Sequence, residues 1–568
     1  MKHRPSPPRA RLARSAGRAA FAAALGLAVF SWAHAQLLPT GPTPLRLPSL
    51  GESASDDFNL SAEKRMGEQI MAEIRRDPDF ADDTVVTEYL QSVWSPIVQA
   101  ARARGDIGPD VALLFPFEAF LVRDRSVNAF ALPGGYVGVH LGLIAMTGTR
   151  DELASVLAHE LSHISQRHIA RSIAANSRNS TLGVAAMILG VLAASRSGNA
   201  DVANAAIVGG QAAMAQTQLN FSRDMEREAD RNGQALMVLS GYQASGMPAM
   251  FAKLDQANRL NDSGAFPYLR SHPLTVERIA EAQQRAAQLP TDAAPAAAMA
   301  PAASGGSTAA NTVTITGLRP ADLIRWHALM QARARVLMDP SVDSMRRFRD
   351  LDGRTGSTNE RLAGLYGSAL ASIQLREFAQ ADRALVAAND LPGVRTDAFT
   401  QRQLAPLHTQ LAMARRDWPA AAQAVAAMGG DAHSRPAMLM RAQVALASGD
   451  PAAVQRSTES LQTWVSEHKL DAMAWQALSH CAEAQGQPLR AIRAAAEAQA
   501  AIGNITGAMD RLRAGQRLAK RGAVGNDFIE ASVIDSRLRD LQVQRRQAMA
   551  EQRGSRSPGS SPNDDDRP

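Results

Sequence analysis

LAHELSHISQRH, residues 157–168, holds three histidines and one glutamate within twelve positions. On a helix, His159 and His163 project from one face a single turn apart, so both imidazoles can reach one ion. Glu160 sits beside the first ligand, placed to face a water on that ion, the division of labour in HExxH zinc hydrolases. The flanks favour a buried helix. DELASVLA (151–158) sets Leu153, Val156 and Leu157 on helical spacing, and Leu161 and Ile164 continue the apolar face. Ionisable side chains in such a helix are costly unless they share a partner. His168, five residues after His163, falls off the metal face and is expected at a helix end or on the surface.

A catalytic metal needs a third protein ligand. In NFSRDMEREADRNG (220–233), Glu226 and Asp230 share a helix face, while Glu228 points elsewhere. Glu226 as ligand, with Asp230 accepting an N–H from a ligand histidine, completes a site. A solvated charged helix explains the same composition.

HELSH, the preceding NAFALPGGYVGVHLGL (128–143) and the later E-x-x-A-D, in that order, resemble the M48 family of zinc metallopeptidases over roughly residues 60–285. The resemblance implies a zincin-like α+β metallopeptidase domain with one Zn2+ on His159, His163 and Glu226. It maps the aspartate onto Asp230 and makes Glu160 the general acid and base. Asn128, Ala129, Phe130, Ala131 and Leu132 then form a strand edge to which an extended substrate adds. His272, in LRSHPLTVERIAEA (269–282), precedes Pro273 at the start of a helix. Two readings stay open there: an imidazole over the metal, blocking it or stabilising an oxyanion, or a packing residue.

The 568-residue chain exceeds one hydrophobic core. Its abundant alanine points to a mainly α protein with a small β-sheet, expected to be antiparallel around Pro133-Gly134-Gly135. Residues 1–35 read as a signal peptide: a basic start, an apolar run from Ala19 to Trp32, and Ala33-His34-Ala35, with cleavage after Ala35. Six of the 61 basic residues leave with it and no acid does, leaving 55 against 55 acidic residues; nucleic acid is not an expected partner. The single cysteine, Cys481, excludes an internal disulfide and reads as a small core residue.

An extended leader is expected over 36–55, the peptidase domain over 56–289 and a flexible Ala/Pro/Ser/Gly-rich linker over 290–315. A tetratricopeptide-type α-solenoid follows over 316–550, then a disordered tail over 551–568. Turn-like starts at Arg376-Glu377-Phe378, Arg416-Asp417-Trp418, Gly449-Asp450-Pro451 and Gly486-Gln487-Pro488 are 40, 33 and 37 residues apart, around the 34-residue repeat. LGVAAMILGVLAA (182–194) is too short to span a bilayer. It reads as a helix covering the site or as a peripheral membrane contact.

With export and helical repeats added, the resemblance implies a periplasmic endopeptidase whose clients are outer-membrane β-barrel proteins and their assembly machinery. A periplasmic chaperone or scaffold, with the repeats as the working part, is the alternative. A membrane-anchored peptidase is disfavoured by the absence of a spanning segment.

Overall fold

Thr149 caps the helix that carries the histidine motif, its hydroxyl accepting from the Glu152 backbone at 3.2 Å, and Asp151 and Glu152 complement the helix dipole. Everything else in the first half is arranged around that helix. The computed structural model describes residues 59–175, 222–260, 267–289, 318–351, 353, 355–429, 434–521 and 527–554. The expected signal, leader, linker and 182–194 lie outside these residues, as does the tail beyond Gly554.

In chain order the first half runs α1 (Leu60–Ile74), β1 (Phe80–Ala81), α2 (Thr84–Arg104) and α3 (Pro109–Leu114). Then come β2 (Glu118–Val122), β3 (Ala129–Leu132), β4 (Tyr136–His140) and α4 (Leu141–Met146). The sheet order is β1-β2-β4-β3. β3 and β4 form an antiparallel hairpin, Leu132 facing Tyr136, across a turn in which Gly134 and Gly135 take φ of 78° and 92°. Both values lie where a side chain is disfavoured.

The sheet is mixed, not purely antiparallel as expected, because β2 pairs parallel with β4. Residues 123–128 carry the chain past one strand position, and β4 returns into the gap. The Gly142 N–H bound to the Asp124 carbonyl at 2.9 Å holds that crossing. β4 is therefore interior and buried along its length, and β3 is one of the two sheet edges, opposite β1, among the described strands.

The motif helix is α5 (Arg150–Ser165), which packs against β3. Leu153, Val156, Leu157, Leu161 and Ile164 are all buried, as their spacing requires. α6 (His168–Ala175), α7 (Arg223–Leu239), α8 (Gly246–Leu260), α9 (Pro267–Ser271) and α10 (Val276–Gln288) complete this half.

Helices alone follow: α11 (Pro320–Leu337), α12 (Val342–Arg349), α13 (Thr358–Gln374), α14 (Phe378–Asn389), α15 (Ala398–Ala414) and α16 (Trp418–Ala427). They continue as α17 (Arg435–Ser448), α18 (Pro451–Glu467), α19 (Ala472–Ala484), α20 (Pro488–Ala501), α21 (Ile505–Lys520) and α22 (Phe528–Gly554). α14, α16, α18 and α20 begin at the four turns that the sequence spacing marks. Each turn places one residue in the left-handed region: Arg376 at φ 61°, Arg416 at 59°, Gly449 at 71° and Gly486 at 69°. A left-handed arginine costs on the order of 1 kcal/mol. Two of the four turns bear that cost, so the turn shape, not its residue type, is what repeats. Cys481 is buried between such helices.

These helices share a core with the first half: one apolar cluster contains Tyr89, Trp94 and Leu157 together with Trp326, Leu362 and Leu404. Arg333 grips Asp83 with Nε at 2.8 Å and Nη2 at 2.7 Å, and Arg435 bridges Asp82 and Asp471.

Candidate metal centre

α7 crosses α5 and brings the two distant motifs together. The Nε2 atoms of His159 and His163 lie 3.0 Å apart. Glu226 Oε2 is 3.5 Å from His159 Nε2, and its Oε1 is 3.4 Å from His163 Nε2. On the far side of the His159 ring, Nδ1 donates to Asp230 Oδ1 at 2.9 Å, so that Nε2 is the nitrogen turned toward the cluster. Asp230 thus occupies the place the sequence spacing gives it.

The donor set reaches beyond the three expected residues. One atom each from His159, His163, Glu226 and His272 lie within 4.8 Å of one another, all buried. Imidazole nitrogens with one carboxylate oxygen suit a borderline-soft divalent ion. His272 follows α9, with Nδ1 2.9 Å from Glu226 Oε1 and Nε2 3.5 Å from Glu160 Oε1. Its ring stacks on Tyr268, centroids 4.7 Å apart. Of its two open readings, this placement puts His272 among the donors and not in remote packing.

Glu160 is 0% exposed, and among the described residues neither carboxylate oxygen receives a hydrogen bond. Such a group normally costs several kcal/mol, on the order of 1–3 even for a neutral polar group. A buried acceptor pair beside a donor cluster fits a site completed by a cation and a water.

His168 stands at a helix end, one of its two expected places, but is buried and not on the surface. The stretch 157–168 is not one helix: α5 ends at Ser165, and Arg167 turns the chain in a left-handed conformation, φ 52°. That turn folds His168 back under the motif, fully buried, with Nδ1 2.8 Å from His163 Nδ1. Its Nε2 lies 3.1 Å from Glu228 Oε2, so Glu228, which points away from the donors, touches the same network.

Arg278 and Tyr268 are absent from the sequence reading. Arg278, on the first turn of α10, sends Nε to Asp230 Oδ2 at 2.7 Å, Nη2 to Asp230 Oδ1 at 2.9 Å and Nη1 to the Pro273 carbonyl at 2.8 Å. Nη1 also pairs with Glu226 Oε2 at 2.8 Å. One guanidinium therefore ties the carboxylate helix to the loop carrying His272. Only its position six residues after His272 hints at this, and a helix start rich in Arg and Glu normally reads as solvated.

The electrostatics follow from burial and pairing. Burial opposes a charged His159, but hydrogen bonds to Asp230 and Glu226 outweigh it and push that imidazole up to about 10. Burial and the neighbouring His159 hold His163 well below its usual value. Burial would raise Glu226 and Asp230, yet their cationic partners keep both below the ordinary carboxylate range. Burial lowers His168 to about 4 against the pull of Glu228. Burial, with Glu160 and Glu226 nearby, pushes Tyr268 well above its usual value. Glu226 and Asp230 therefore stay ionised beside the imidazoles.

Residues 87–286 match the model of peptidase family M48. A Vibrio cholerae protein is 36% identical over 247 residues, 44% of this chain and 49% of that one. The beta-barrel assembly-enhancing protease of Escherichia coli strain K12 is 33% identical over 244 residues, 43% of this chain and 47% of its own. The mitochondrial metalloendopeptidase OMA1 of Schizosaccharomyces pombe is 28% identical over 235 residues, 40% and 62% respectively. The chain thus spans about half the length of the first two relatives it matches.

Proposed function

Residues 87–286 form a domain of peptidase family M48, and from that premise we propose that the chain is a zinc-dependent endopeptidase of the periplasm. The observation that carries this reading is Glu160, a fully buried carboxylate without a hydrogen bond among the described residues, beside four convergent metal donors.

His159, His163 and Glu226 would hold one Zn2+, with Asp230 orienting His159. Zinc bound there supplies a Lewis acid for the scissile carbonyl and for the attacking water. Glu160 takes the water proton and later delivers it to the departing amine. The edge position of β3, beside α5, supports Ala129 to Leu132, with Asn128 directly before them, as the segment to which an extended peptide adds. His272, close to both Glu160 and Glu226, would hold the site closed until its loop moves.

The relatives' name supports outer-membrane β-barrel assembly as the setting. The clients would be β-barrel proteins or their assembly machinery, degraded when stalled, with the tetratricopeptide-like helices of 316–550 recruiting them. Export by a cleaved signal, residues 1–35, goes with that setting. No described helix is long and apolar enough to cross a membrane.

The test compares the full chain with Glu160→Gln. Both should bind one zinc per chain, and only the wild type should cleave casein. Turnover by Glu160→Gln refutes the base assignment. A zinc-free wild type that binds unfolded barrel proteins without cutting them favours the scaffold reading.

A further inference from the structure

The nitrogen-to-nitrogen contact between His163 and His168 carries a consequence for the ligand set. At 2.8 Å, one Nδ1 must donate and the other accept. The far side of His168 decides which. Its Nε2 faces Glu228 Oε2 at 3.1 Å, and an ionised carboxylate only accepts. Arg171 Nη1 donates to the same oxygen at 3.2 Å.

His168 therefore donates from Nε2, and a ring with one proton presents a bare Nδ1 to its neighbour. His163 must donate from Nδ1. Its Nε2 is left with a lone pair, directed at His159 Nε2 and Glu226 Oε1.

We infer that Glu228 and His168 form a hydrogen-bond relay that holds His163 in the tautomer able to bind the metal, making His168 a positioning residue for this ligand. The inference rests on the metal reading above. Asp230 does the same for His159 in one step; for His163 the chain uses two. The left-handed turn at Arg167 makes the second step possible, and Glu63 braces that turn, its Oε2 3.2 Å from Arg167 Nε.

The expected size is that of a lost outer-shell partner, about 10–100-fold in metal affinity. The experiment uses the full chain with 15N-labelled histidine and reads two quantities: which nitrogen of His163 carries the proton in the metal-free protein, and the zinc dissociation constant by chelator competition. Wild type should show the proton on Nδ1. His168→Leu removes the acceptor and should lose that signature and weaken zinc by the stated factor. His168→Asn, whose side-chain oxygen stands near the position of Nδ1, should keep both close to wild type.

An unchanged tautomer and affinity in His168→Leu overturns the relay. So does equal damage in His168→Asn, because a packing role has no use for an acceptor. If His168→Leu does not fold, Glu228→Leu removes the far acceptor and must move both readouts in the same direction. A wild-type chain that binds no zinc defeats the metal reading alone, since the tautomer still decides the relay.

Discussion

Nε2 of His272 lies 3.5 Å from Oε1 of Glu160, while Nδ1 of the same ring lies 2.9 Å from Oε1 of Glu226. One imidazole thus stands between the residue proposed as base and a residue proposed as ligand, where water and substrate must enter. The loop that carries it is held from both sides, by Tyr268 stacking on the ring and by Arg278 on the Pro273 carbonyl.

His272→Ala should therefore raise basal casein cleavage. If the closed arrangement outweighs the open one by about ten to one, removing it raises turnover by about tenfold. Zinc binding should weaken modestly, because one donor leaves while Asp230 and Arg278 still hold the others. Initial rates at matched zinc occupancy make the comparison. Unchanged or lower rates would assign His272 an assisting or purely structural role.

Much of this centre is legible in two short strings. The period of 3.6 places His159 with His163 and Glu226 with Asp230, and apolar flanks announce burial, because these are properties of one helix at a time. What escaped depends on where chains cross or turn. His168 could not be placed, since nothing in QRH announces a left-handed arginine. Strand alternation is blind to whether a neighbour runs parallel, so the parallel β2–β4 pairing leaves no mark in the sequence. A buried clamp such as Arg278 and a solvated helix start have the same composition. In the second half, the four turns were found from spacing alone, whereas the docking of α11 onto α2 joins residues some 240 positions apart.

That docking has its own pH signature. Tyr89 Oη lies 2.5 Å from His327 Nδ1, and His327 Nε2 donates to the Thr147 carbonyl at 2.9 Å, a pattern complete only for neutral histidine. Burial and nearby Arg150 and Lys253 hold His327 at about 4, against the Thr147 carbonyl and Glu152, which pull the other way. The unfolded chain titrates near 6.5, so as pH falls it takes the proton first. The stabilisation is complete above about pH 6.5 and is lost progressively down to about 4, to a limit of about 3 kcal/mol. Denaturant unfolding at pH 7.5 and 4.5 measures this. His327→Gln keeps a donor and an acceptor without the titration, so its loss on acidification should be smaller by about 2–3 kcal/mol. Parallel losses in the two chains would remove His327 from the account.

The crossing of α5 and α7 rests on one glycine. A Cβ on Gly233 would lie 3.0 Å from the His159 backbone nitrogen and 3.1 Å from the Ala158 carbonyl carbon. Neither is a side chain that can swing aside, so α7 itself must move. Two effects oppose each other in Gly233→Ala. Helix propensity gains about 1 kcal/mol, whereas overpacking at a backbone contact costs about 1–3 kcal/mol. The second should win, leaving the protein slightly less stable. The sharper consequence is at the metal, because a shift of a few tenths of an ångström in α7 carries Glu226 and Asp230 away from His159 together. Zinc affinity should fall by about tenfold or more, the scale of a disturbed outer shell, in a chain whose helix content is intact. Chelator competition and circular dichroism on one preparation read both quantities. Wild-type affinity in Gly233→Ala would mean that α7 yields without moving its carboxylates.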